Sequence, residues 1–124
     1  MIVYKFYIQN LPSKKGKLYL VNIDPPKEHL QYIFEGNETE SDITELIDSV
    51  EKVKSGEFKD YSFGNQSGFE AVAIAPNSDD TEYPDGAVFI YNFFEGEQPL
   101  FNVSLDEMIE LLTDYRKFLS KIIV

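Results

Sequence analysis

The chain has 124 residues, with 11 basic and 22 acidic side chains, a net charge of -11, one His, no Cys and no Trp. That length fits one domain, and 43% hydrophobic with 15% aromatic residues excludes a disordered polyelectrolyte despite the charge. Zero Cys excludes disulfides, thiolate zinc sites, iron–sulfur clusters and thiol catalysis, and a pI near 4.4 argues against direct nucleic-acid binding, where phosphates require Lys and Arg.

The N-terminal stretch MIVYKFYIQNLPSKKGK has no basic start followed by a sustained apolar run, so it does not read as a secretory signal. No segment approaches the ~20 apolar residues of a membrane helix. The expectation is a cytoplasmic chain without membrane contact, and the sequons at Asn37, Asn65 and Asn102 read as chance occurrences.

Ile2–Gln9 is rich in Val, Tyr, Phe and Ile and predicts a strand. Pro12 and Gly16 punctuate a turn, and Lys17–Ile23 returns as the antiparallel partner. Asp24-Pro25-Pro26 ends that pair. A short helix from Pro26 through His29 and Leu30, or a strand at Tyr32–Phe34, both remain open. Ile43, Leu46, Ile47, Val50 and Val53 recur at spacings of three and four and predict a helix over 42–55. Ser41 is its expected N-cap, and Gly56 its C-terminal stop.

Phe58–Phe63, the Gly-rich turn 64–68 and Phe69–Ala75 have the grammar of a hairpin with a longer loop. The polar stretch PNSDDTEYPDG, residues 76–86, is a loop. Ala87–Phe94 predicts a buried strand, and Leu100–Val103 a short return strand after the turn at Glu95-Gly96-Glu97. Ser104 with Glu107 forms a capping box for a last helix whose apolar face is Leu105, Met108, Ile109, Leu112, Tyr115, Leu119 and Ile122. The sum is a single α+β domain over 1–124, with a mainly antiparallel sheet of five to six strands and two main helices against one face.

Charge is unevenly spread along this order. Residues 1–34 carry five Lys against Asp24 and Glu28, a net of +3. Residues 35–60 carry nine acids against three Lys, and residues 61–124 eleven acids against three bases, for nets of -6 and -8. The acidity therefore begins at Glu35.

No motif assigns an activity. Ser67 within 64–68 has the wrong spacing for a nucleophile elbow, and the stretch lacks the Gly-Lys-Ser/Thr ending of a phosphate loop. Asp79, Asp80, Glu82 and Asp85 offer hard oxygen ligands, but no frame through 77–86 gives the EF-hand order with Gly at six and Glu at twelve. No metal or other cofactor is expected. His29 reads as a surface or hydrogen-bonded residue, since acid–base work needs a positioned partner. With 22 acids some pair will always lie close, so paired carboxylates carry no glycosidase signal.

Strand, Gly-rich turn, strand, Ala87–Phe94, a short return strand and the closing helix SLDEMIELLTDYRKFL together resemble the immunity proteins of bacterial contact-dependent growth inhibition and related polymorphic toxin systems. Size, acidity and the absence of Cys match as well. The resemblance implies a non-catalytic cytoplasmic inhibitor that binds the C-terminal domain of a cognate toxin and covers its active or substrate-binding surface. Many such toxins are nucleases and therefore basic, which agrees with the charge argument: carboxylates can occupy a groove built for phosphates, and opposite charge speeds capture. The expected contacts are Glu35, Glu38, Glu40, Asp42 and Glu45 around the start of the first helix. A second group is Asp79, Asp80, Glu82 and Asp85 with Tyr83, read as an exposed aromatic anchor. The alternative is a small acidic adaptor or DNA-mimicking regulator, against which the +3 segment at residues 1–34 counts.

Overall fold

A computed structural model describes residues 2–10, 17–25, 27–34, 39–64 and 68–122. Strands β1 (Tyr4–Asn10) and β2 (Lys17–Ile23) form a two-stranded antiparallel sheet of their own. A 3-10 helix (Glu28–Phe34) leads to α1 (Glu40–Ser55). Then β3 (Asp60–Gly64), β4 (Phe69–Ile74), β5 (Ala87–Asn92) and β6 (Phe101–Val103) make a four-stranded antiparallel meander, and α2 (Leu105–Ile122) closes the chain. The fold is α+β, as the sequence predicts, but its six strands divide between two sheets instead of joining one. Among the described residues no helix is long and apolar enough to cross a membrane.

The open choice at 28–34 resolves to a helix because Leu30, Ile33 and Phe34 are the buried positions. A 3-10 turn places residues three apart on one side, so Leu30 and Ile33 bury together. Phe34 stacks on Tyr115 of α2 with ring centres 4.1 Å apart, while Tyr32 meets Phe69 of β4 edge-on at 5.9 Å. The segment thereby ties the N-terminal hairpin to both α2 and the larger sheet.

In α1 the expected stripe of Ile43, Leu46, Ile47, Val50 and Val53 is buried throughout. The helix starts two residues earlier than Ser41 implies. Thr39 is the N-cap, with extended backbone and its hydroxyl oxygen accepting the Asp42 N–H at 3.1 Å. Thr39 and Ser41 can satisfy the same free amides, and capping at Thr39 adds Glu40 and Ser41 to the helix. Gly56 ends it at φ 86°, a conformation open to a residue without Cβ. The capping box of α2 is reciprocal: the Glu107 N–H donates to Ser104 Oγ at 2.9 Å, and the Ser104 N–H donates to Glu107 Oε1 at 3.1 Å. Burial works to raise the Glu107 carboxyl, but the Ser104 N–H and the charge of Lys27 outweigh it and hold the group below the usual range.

Leu105, Met108, Leu111, Leu112, Tyr115 and Leu119 of α2 are buried. Leu111 lies outside the predicted stripe. The wider buried arc follows from neighbours on more than one side: α2 packs on α1 and β5, while Phe6 of β1 packs on Tyr115 and Phe118. The hairpin is also held by Tyr4, whose hydroxyl donates to Asp114 Oδ2. Burial, then the Asp114 carboxylate, push the Tyr4 hydroxyl far above its ordinary value. A raised pKa in the folded state means that the folded chain keeps a proton the unfolded chain releases from about pH 10 upward. The stability this group contributes is therefore fully present below about pH 10 and is lost as pH rises above it. Urea titrations between pH 8.5 and 11 should show a steeper loss for the natural chain than for Tyr4→Phe; equal slopes would remove the bond from the account of hairpin attachment.

Candidate functional site

The meander sorts its side chains by alternation. Phe69, Ala71 and Ala73 of β4 are buried toward the helices, so Glu70, Val72 and Ile74 take the opposite face. Register pairs Glu70 with Tyr91 and Val72 with Phe89, Phe89 with Asn102 of β6, and Val72 with Ser62 of β3. The outer face thus carries Phe89 and Tyr91 at its centre, with Val72 and Asn102 to either side of Phe89 and Glu70 beside Tyr91. The Tyr91 and Phe93 rings stack at 5.4 Å and 11°, extending the aromatic row beyond β5. Phe93 is 51% exposed and Phe94 81% exposed.

Sequence reasoning missed Phe93 and assigned Phe94 a structural role by running the strand through residue 94. The strand stops at Asn92 because its side chain accepts the Phe94 N–H at 3.1 Å while its carbonyl accepts the Glu95 N–H at 2.9 Å. Asn92 three residues before Glu95-Gly96 is a turn signal that could have set the boundary.

The loop 76–86 borders this face and is built by its own hydrogen bonds. The Asp79 N–H donates to Asn77 Oδ1 at 3.0 Å. Asp80 Oδ1 accepts the Tyr83 N–H at 2.8 Å and the Glu82 N–H at 2.9 Å. Those two bonds, Tyr83 first, hold the Asp80 carboxyl below its ordinary range. Gly86 closes the loop at φ 77°, where a Cβ would lie 2.5 Å from the Ile74 carbonyl oxygen and 2.9 Å from a Leu105 methyl.

Tyr83 corrects the sequence reading. It is half-buried, its ring edge-on to Phe89 at 4.9 Å, and its hydroxyl accepts the Asn102 side-chain N–H at 3.3 Å. It joins the loop to the aromatic row of the outer face instead of standing free among the acids. Asp79, Glu82 and Asp85 are exposed, whereas Asp80 is half-buried by its turn.

The other acidic group sits elsewhere. Glu45 is exposed and Glu40 and Asp42 half-buried in the first turns of α1, and Glu35 and Glu38 lie outside the described residues. Asp85 lies beside the far end of that helix, sharing a cleft of about 390 Å³ with Lys54, Pro76 and Asp106. Lys54 pairs with Asp106 at 2.5 Å. Glu40 and Lys54 are fourteen residues apart, which is about 21 Å along a helix. Tyr83 therefore joins the loop to the outer face of the sheet, while Asp85 faces the end of α1 away from Glu40.

His29 is half-buried in the 3-10 helix with its ring edge-on to Tyr32 at 5.9 Å. Among the described residues no three His, Asp or Glu side chains come together as a metal site. Comparison of the chain with protein families, with curated proteins and with solved structures finds no match.

Proposed function

We propose that this chain is an inhibitory binding protein of the immunity type, which covers the active or substrate-binding surface of a basic toxin domain, a nuclease, in the cytoplasm. One observation carries the reading: from Asp60 through Tyr115 the sequence has twelve acids and no Lys or Arg. That stretch supplies all four strands of the larger sheet and more than half of α2. A nuclease binds phosphates with cations, so a stretch that brings no cations of its own can offer its carboxylates to the same groove, with Asp106 already held by Lys54. Long-range attraction also raises the capture rate, which matters where few toxin molecules suffice to kill. The aromatic row between the acids supports a protein partner over a coat that imitates DNA, because apolar rings supply the desolvated centre of a protein interface.

The test is co-expression with the C-terminal domain of the large secreted effector encoded next to this chain's gene. Growth should be restored and the two proteins should co-purify. The reading is sunk if no such effector adjoins the gene, or if the domain remains toxic while this chain is soluble and abundant. A small acidic adaptor could use the same face, but it would not restore growth.

A further inference from the structure

One feature of the outer face has the size and chemistry of a receptor for a single side chain. A cleft of about 270 Å³ opens between β3, β4 and the chain leaving β5, with Ser62, Gly64, Gly68, Glu70 and Phe93 among its walls. That is below the ~300 Å³ at which small-molecule sites begin. Gly64 contributes no side chain, since a Cβ there would lie 2.3 Å from the Phe69 carbonyl oxygen, and the Phe94 ring lies against Gly68, 2.4 Å from where a Cβ would stand. The Phe93 N–H donates to the Gly68 carbonyl at 3.0 Å, and the Phe93 ring is braced by stacking on Tyr91.

The chemistry of the walls is specific. Glu70 is half-buried, directly opposite Tyr91 in the strand register, and it forms no salt bridge among the described residues. Phe93 offers a half-exposed ring face. Lys59 and Arg116 are the nearest bases in sequence to either side. A carboxylate beside an aromatic ring, in a cleft of this volume, selects a planar cation with an apolar stem. Guanidinium stacks on a ring and donates parallel N–H groups to a carboxylate, which ammonium does less well.

We propose that this cleft takes one arginine side chain from the basic partner, its guanidinium over Phe93 and its N–H groups on Glu70. The inference rests on the inhibitor reading and assigns the contact that reading leaves open. It is tested with the full chain and the same toxin domain as the probe. Glu70→Gln should weaken the complex roughly 10-fold and Phe93→Leu about 3-fold, in line with charge-pair and cation–π contributions. Glu70→Gln should be non-additive with one Arg→Gln variant of the toxin domain. Because the chain has no Cys, Ser62→Cys and Asp48→Cys give single labelling sites in the cleft and on the exposed side of α1. The toxin domain should block maleimide labelling at 62 and leave 48 reactive, a readout that survives any loss of stability in the binding variants. A complex that leaves position 62 fully reactive, with affinity unchanged in both binding variants, overturns the cleft and leaves the inhibitor reading standing. Absence of both a complex and growth rescue overturns the inhibitor reading itself.

Discussion

Tyr115→Ala is expected to lower the stability of the domain by about 3–5 kcal/mol, the cost of removing a fully buried aromatic side chain and leaving a cavity. Tyr115 has no exposed surface. Its ring stacks on Phe34 at 4.1 Å, meets Phe6 edge-on at 5.6 Å and lies 6.2 Å from Phe118. Those partners come from the 3-10 helix, from β1 and from α2 itself, so one ring fastens the N-terminal third of the chain to the closing helix. Domains of this size have about 5–15 kcal/mol in total, and the melting temperature should fall by roughly 10–20 °C. Thermal melts followed by circular dichroism measure this directly. Tyr115→Phe keeps the ring contacts and should lose far less, which separates packing from the hydroxyl. A fall of only a few degrees for the Ala variant would mean that the hairpin is held by other contacts, Tyr4 with Asp114 first among them.

Much of this core was legible in the sequence, and the reasons are local. The α1 stripe has a helical period that no strand can use, and its five apolar positions are the five that bury. Ser104 and Glu107 announce the start of α2 because each satisfies a backbone donor of the other's residue. What was not legible depends on contacts between distant segments. Strand character at 4–10 and 17–23 predicts their pairing with each other, but nothing in a period of two says whether that pair joins the meander or packs on α2 through Phe6. Leu111 buries because α2 has neighbours on more than one side, which its own sequence does not encode. Tyr83 looked exposed from its acidic neighbours, whereas the Asp80 turn folds it onto Phe89 six residues on. The candidate site divides in the same way. Its charge was readable by counting, while the aromatic row and the cleft at Glu70 required the register between β4 and β5.

Charge steering supplies the second large effect, and the fold sharpens where it should originate. If the partner is basic, its association rate should fall about 10- to 100-fold between 0.05 and 0.5 M salt, because the field that guides encounter is screened. Along α1 the acids of the first group lie about 14–21 Å from Lys54, which shares its cleft with Asp85, and this exceeds the Debye length of ~10 Å at 0.1 M. The two acidic groups therefore act on an approaching partner nearly independently. Neutralising Asp79, Glu82 and Asp85 together as Asn, Gln and Asn removes exposed charge beside the aromatic row and leaves the Asp80 turn intact. This variant should associate roughly 10-fold more slowly and show a flatter salt dependence, with dissociation little changed. Neutralising Glu40, Asp42 and Glu45 should change the rate less than about twofold at the same salt. Stopped-flow association with the toxin domain at several ionic strengths distinguishes the two variants. Equal slowing by both would extend the interface over the start of α1, and a larger effect of the α1 variant would move it there, away from the sheet. Dissociation should respond instead to Glu70 and Phe93, since short-range contacts govern the lifetime of a formed complex while exposed charge governs its encounter. The rate that changes thus reports whether a given carboxylate guides the partner or holds it.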